Sequence, residues 1–363
     1  MAYTNIDDPS AYFQTALYTG NATDGKTVTN DGNSDLQPDY VWTKCRSGSS
    51  HHTNVDSSRG VRKQIYPNLT YFEETVGGVS GFLTDGFTLG NNGTANSNGA
   101  TYVAWQWKAN GGTTASNTDG SINSTVQANQ DAGFSIVTWA GTGVYNKTVG
   151  HGLGATPAVV IVKNRTTGDT SYDDWWMFHH KTSNPVNRVL ALNENAAEVG
   201  STVFWSVLPS STIFGIGGST NAPRYTNGAS QNYVAYCFAE KQGYSKFGSY
   251  VGNGSLDGSF VYTGFKPAFL LVKIITASGY DWRLVDSTRN TFNLTDKLLM
   301  PNNTSAEFDG STHASNLGFD FVSNGFKLRT TYTGMNGNTE TFIYMAFAEN
   351  PFVTSTGIPT TAR

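Results

Sequence analysis

The stretch YDDWWMFHH (172–180) carries the densest set of reactive side chains: Asp173, Asp174, His179 and His180. Two carboxylates and two imidazoles could ligate a metal ion or form an acid–base pair. Trp175, Trp176, Met177 and Phe178 lie between them and read as a strand. At about 3.3 Å per residue, such a strand holds its ends more than about 15 Å apart. The two pairs then cannot share a ligand, and the preferred reading is a core strand flanked by polar turns.

Other groupings fare similarly. DSSR (56–59) and DSTR (286–289) set an Asp three residues before an Arg, and HHKT (179–182) holds the corresponding place between them. The pair could orient a ligand carboxylate or hydroxyl. An Asx-type turn stapled by a salt bridge is the plainer reading, because Asp so often starts turns. DGNSD (31–35) has the spacing of a calcium loop but lacks that loop's later glycine and twelfth-position acid. His51 and His52 sit in a Ser-rich loop and read as surface residues. Glu240 and Glu349 end equivalent strands in different parts of the chain, whereas paired glycosidase carboxylates share one cleft. There is no G-x-S-x-G, phosphate-cradling loop or Cys/His cluster. The expectation is a protein that is not an enzyme, with no catalytic residues, cofactor or metal.

The elements that position these groups read as β-strands. The 363 residues include 40 glycines, only 14% are charged, and 13% are aromatic. Helix-forming runs are scarce and polar turn residues abundant, the profile of an all-β protein. The formal charge of −4 comes without clustered Lys or Arg, which argues against nucleic acid as a partner. No run of eighteen apolar residues exists, so no membrane insertion is expected. The opening MAYTNIDDPS lacks the basic and apolar regions of a signal peptide. Cys45 and Cys237 fall in separate strand-like runs and read as two buried thiols.

An internal repetition organises the chain. QPDYVWTK (37–44), TPAVVIVK (156–163) and KPAFLLVK (266–273) share a proline, an apolar run and a lysine. Each is preceded by a strand ending in glycine: LYTGN (17–21), TWAGT (138–142) and SYVGN (249–253). Each is followed by an aromatic strand: TYVAWQWKA (101–109), NYVAYCFAE (232–240) and TFIYMAFAE (341–349). A further phrase, TDGFTLG (84–90) or SNGFKLR (323–329), precedes that strand in the outer two, where the middle one has SSTIFGIG (210–217). This predicts three tandem antiparallel β-sandwich domains of jelly-roll or lectin-like type, each burying its own core. The boundaries are 1–109 for a divergent first copy, 134–243 for the second and 244–350 for the third. Residues 110–133 read as a Gly/Ser/Thr/Asn-rich linker or surface arm, and 351–363 as an extended tail that could dock on a neighbour. The lysine of each phrase is expected to close its strand where the strand meets water.

The phrases GFSIVTWAGTG, VGHGLGATPAVVIVKNR, YVAYCFAEKQGYSKFGSYVGNG and IYMAFAENPF carry a family resemblance. They resemble an uncharacterised tandem-repeat domain of virion and tail-fibre-like structural proteins of marine tailed phages, chiefly cyanophages and pelagiphages. The opening MAYTNIDDPSAYFQTALYTGN is similar to the start of such proteins. The resemblance covers almost the whole chain, most strongly 133–350, and implies a virion component but no activity, ligand or catalytic residue.

The resulting expectation is a phage structural protein: capsid decoration, tail or fibre. It would be made in the host cytoplasm and would act by contacts with other virion proteins and with itself, as a homo-oligomer such as a trimer. The alternative is a host-receptor or glycan-binding module, in which Trp139, Trp175, Trp205 and Trp282 would stack on sugar faces. Each of these tryptophans is equally credible as core. A polysaccharide depolymerase ranks last, for want of a carboxylate pair.

Overall fold

Short runs of β-branched and aromatic residues, broken by Gly and Asn, build three segments with one strand order. In each, an opening strand pairs with the closing strand, which pairs with the strand of the proline phrase, which pairs with a return strand; all are antiparallel. In the first segment these are Phe13–Thr19, Thr101–Trp107, Tyr40–Cys45 and Thr53–Asp56. In the second they are Phe134–Ala140, Asn232–Phe238, Val159–Asn164 and Trp176–His179. In the third they are Ser245–Val251, Thr341–Pro351, Phe265–Ile274 and Arg283–Asp286. The computed structural model describes residues 2–218 and 223–361. It is 39% strand and 5% helix, so the all-β expectation holds.

A small sheet covers the outer face of each central sheet. It is formed by Lys26–Val28, Phe87–Leu89 and Val79–Phe82 in the first segment. Lys147–Gly150 and Ile213–Ile216 form it in the second, and Phe260–Tyr262, Gly325–Leu328 and Phe319–Val322 in the third. Apolar side chains fill each gap, for example Val41, Phe87 and Tyr102 in the first sandwich. Val160, Phe214 and Tyr233 do so in the second, and Leu270, Phe326 and Phe342 in the third.

The proline strands are buried on both faces. Side chains alternate along a strand, so Val41, Val160 and Leu270 enter the outer cores while Trp42, Ile161 and Leu271 point the other way. Those inward residues belong to one further core to which all three segments contribute. The segments therefore lean on one another across a shared interior, in addition to the private cores expected of tandem sandwiches. Its centre is a triangle of rings from equivalent places on the closing strands. Trp107 lies 6.3 Å from Phe238 and 5.5 Å from Phe347, and Phe238 lies 5.8 Å from Phe347. All three contacts are edge-to-face, a geometry worth about 0.5–1.5 kcal/mol per pair beyond burial.

Residues 110–133 are not a linker. Ala115–Asn117 and Ser124–Asn129 add two strands beyond the opening strand of the second segment, and Arg188–Ala191 and Val199–Gly200 add two beyond its return strand, making a sheet of eight. Polar composition masked them: the edge strand Ala115–Asn117 carries no large apolar residue, and the Ser124–Asn129 strand beside it sets exposed Thr125 next to buried Val126. The glycine ending each opening strand has a steric reason. A Cβ on Gly20, Gly141 or Gly252 would stand 2.1, 2.1 or 2.3 Å from the carbonyl oxygen of Ser97, Gly228 or Gly337. The tail folds back, bridging Val353 to Pro359, with the Ser355 backbone N–H donating to Asp7 at 2.6 Å. Its last two residues lie outside the described chain.

Candidate functional site

The lysine of each proline phrase does not meet water. Lys44, Lys163 and Lys273 are all 0% exposed, and each ammonium reaches into a neighbouring segment: the second's into the first, the third's into the second and the first's into the third. Lys163 donates to the Thr70 carbonyl at 2.6 Å, Lys273 to that of Asn195 at 3.1 Å, and Lys44 to that of Thr304 at 3.2 Å. Each also donates to a carbonyl of its own segment: Asp173 at 2.6 Å, Tyr280 at 2.7 Å and Cys45 at 2.9 Å. Burial pulls Lys163 down to about 7, and Lys44 and Lys273 to about 8. The direction follows from desolvation, which penalises the charged form.

The same three seams repeat two further kinds of contact. The backbone N–H groups of Glu73, Glu198 and Glu307 donate to the carbonyls of Arg165, Ile275 and Arg46 at 3.0, 3.1 and 2.9 Å. The Nε1 of Trp175 donates to the Tyr66 carbonyl at 2.8 Å, and that of Trp282 to the Ala191 carbonyl at 3.1 Å. In the first segment His52 replaces the tryptophan, and its Nε2 lies 3.1 Å from the Met300 carbonyl oxygen. The links run from first to second, second to third and third back to first, which closes a ring.

Two seams add a buried ion cluster. Asp56 pairs with Arg59 at 2.5 Å with both side chains fully buried, and Asp286 pairs with Arg289 in the same way. The Asp56 carboxylate also accepts from the Tyr236 hydroxyl at 2.8 Å, and Asp286 from Trp105 Nε1 at 3.0 Å, each donor lying on the neighbouring segment. Arg59 shares Glu73 with Arg165, and Arg289 shares Glu307 with Arg46. Burial raises both glutamates, but the paired arginines outweigh it and hold both below the usual carboxylate range. In the third seam His179 stands where Asp56 and Asp286 stand, with Nε2 3.2 Å from the Tyr344 carbonyl oxygen. Burial pushes His179 down to about 3, so it is neutral at pH 7.

The sequence candidates resolve against this geometry. The turn-and-salt-bridge reading of DSSR and DSTR matches the Asp–Arg pairs, whose extension across seams that reading missed. Asp173 ties its own loop through Asn164 and Thr167, while His179 serves the seam at the far end of the strand. His52 is not a surface residue: it is fully buried and accepts from Trp42 Nε1 at 3.0 Å. Trp139, Trp175, Trp205 and Trp282 are 4, 0, 3 and 1% exposed. Rings so deeply packed offer no face to a sugar; the correction is that all four are core. Glu240 pairs with Lys246 at 2.7 Å and Glu349 with Lys266 at 2.8 Å. Cys45 and Cys237 are buried free thiols, and burial raises Cys237. Among the described residues, no group of three His, Cys, Asp or Glu is placed to hold a metal ion. No helix there is long and apolar enough to cross a membrane.

Sequence reasoning missed a further recurrent lock. Asn96, Asn227 and Asn336, all buried, end four-residue helices and accept from the backbone N–H of Asn21, Thr142 and Asn253 at 2.9, 3.0 and 3.1 Å. Their common signal is an Asn followed by Ser or Gly a few residues before each closing strand. Chemically, the arrangement clasps three sheets together; its charged groups are engaged internally.

Among known families, one described as a domain of unknown function (DUF7483) matches residues 8–351. No curated protein and no solved structure matches the chain.

Proposed function

The chain belongs to the DUF7483 family, and we propose that it is a phage virion structural protein acting through protein–protein contacts, without catalysis. The observation that carries this reading is where the molecule places its chemistry. The three buried lysines of the proline phrases, the two buried Asp–Arg pairs and His179 are consumed in holding three segments together, while large apolar side chains stand outside. Phe260 and Tyr262 are 50 and 53% exposed on the outermost strand of the third small sheet. An edge strand with free backbone groups and outward aromatic rings is suited to docking on a neighbouring protein. Phe292, 78% exposed, adds a second such point. A capsid decoration, a tail part and a fibre module all need such a braced scaffold. Self-association as a trimer belongs to the same proposal.

Immunogold labelling of purified particles tests the virion assignment: label at a fixed site supports it, and particles free of the protein overturn it. Size-exclusion chromatography with light scattering tests self-association, with Tyr262→Ser expected to weaken it. Glycan binding is the second reading. With the four tryptophans enclosed, it would depend on exposed aromatics such as Tyr71 and Tyr145, 42 and 45% exposed, and a glycan array distinguishes it.

A further inference from the structure

One cavity in the third segment contains a cation that the fold leaves poorly satisfied. It encloses about 210 Å3, lined by Arg283, His313 and Tyr332 together with Leu298, Met300 and Phe308. Arg283 is 7% exposed. Its two hydrogen-bond partners are distant: Asp281 Oδ2 at 3.5 Å from Nη1 and the Tyr332 hydroxyl at 3.4 Å from Nη2. Both lie at the limit of a hydrogen bond. Its Nε is buried and has no acceptor among the described residues. A buried guanidinium is costly unless it is paired and hydrogen-bonded.

The same molecule shows what such an arginine edge takes. Arg46 engages Glu307 through Nε and Nη2 at 2.8 and 2.9 Å, and Arg165 engages Glu73 through the same two nitrogens at 2.9 and 3.0 Å. On Arg283 that edge meets only the long Tyr332 contact. The third segment is also alone in placing a cation here. From strand register, the equivalent residues are Thr53 and Trp176. Trp176 fills its surroundings by packing on Phe204 and Tyr225 at 4.4 and 5.4 Å between ring centres. In the third segment the rings stand round the space instead. Tyr332 lies 5.6 Å from the guanidinium carbon, His313 5.4 Å from Tyr332, and Phe308 6.3 Å from His313.

We propose that this cavity is a binding site for a small single-ring carboxylic acid, its carboxylate bidentate on the Nε–Nη2 edge of Arg283 and its ring against Phe308, His313 and Tyr332. Planar bidentate recognition of a carboxylate is what a guanidinium provides and an ammonium does not. The volume equals roughly seven waters at about 30 Å3 each, which admits one ring and not an oligosaccharide. The site does not depend on the virion reading.

Titration of the full chain with benzoate at pH 7, followed by calorimetry and ligand-observed NMR, tests the proposal, with benzyl alcohol as the neutral probe. Saturable one-to-one binding of benzoate is expected, weakened at least tenfold in Arg283→Lys and in Arg283→Met, and at least tenfold tighter than benzyl alcohol. Arg283→Lys keeps the charge and decides the matter should Arg283→Met fail to fold. The proposal is overturned if benzoate does not bind, if the folded variants bind it as tightly, or if benzyl alcohol binds equally well.

Discussion

The Glu73–Arg165 pair should couple the first two segments energetically, and a double-mutant cycle can measure by how much. Both oxygens of Glu73 accept from Arg165, at 2.9 and 3.0 Å, and the two side chains are 12 and 21% exposed. A Coulomb attraction at about 4 Å in an effective dielectric of about 20 caps the interaction near 4 kcal/mol. Side-chain ordering and partial solvation reduce it, leaving an expected coupling of about 1–3 kcal/mol. Urea unfolding of the parent, Glu73→Gln, Arg165→Met and the double variant supplies the four free energies. Arg59 stays anchored on Asp56 in every member of the cycle, so its charge is never stranded. The Glu307–Arg46 cycle should return a similar coupling, having the same geometry. The corresponding cycle of Glu198 with Ile275 should return none, because an isoleucine stands in the arginine's place. Couplings below about 0.5 kcal/mol at both ionic seams would refute the claim that these pairs fasten the segments.

Further outcomes follow from the same contacts. Lys44, Lys163 and Lys273 have folded pKa values near 8, 7 and 8, below the unfolded value of about 10.4. The unfolded chain therefore holds more protons, and stability should rise between pH 7 and pH 9; a flat or falling urea midpoint there contradicts it, and Lys163→Met should blunt the rise. Glu73 and Glu307 have the opposite sign, with folded pKa values below the usual range. Their contribution is present above about pH 4.3 and lost as pH falls through the folded values, so a Glu73→Gln/Glu307→Gln variant should show a shallower acid transition by circular dichroism. Asn227→Ala strands the Thr142 N–H and the Val144 carbonyl, partners at 3.0 and 2.8 Å. It should cost about 1–3 kcal/mol in urea unfolding, and a loss under about 0.5 kcal/mol would contradict that role.

Much of the architecture was legible because it repeats. The proline phrase, the glycine-ended strand and the aromatic strand mark the same three central strands in every segment. A continuous apolar run such as AFLLVK fits a strand buried on both faces, but the pattern does not say what lies on each face. The shared interior therefore stayed hidden, and with it the role of the terminal lysine. A lysine at a strand end ordinarily meets water; here a neighbouring segment's carbonyl takes water's place, as Lys163 and Thr70 show. His52 reads as surface in the sequence because its neighbours Ser49 and Ser50 suggest a loop, whereas tertiary packing encloses it against Trp42. Arg283 carries no motif at all, and only the cavity beside it draws attention to its unpartnered Nε.

Cooperativity of thermal unfolding tests most directly whether three clasped segments form one body. Independent sandwiches would melt separately, giving distinct transitions or a van't Hoff enthalpy near a third of the calorimetric one. The shared core and closed ring of seams predict a single transition with the two enthalpies equal, the total near 250 kcal/mol at about 0.7 kcal/mol per residue. Equality in differential scanning calorimetry would support the closed scaffold; separate transitions, each following mutations in its own segment alone, would contradict it.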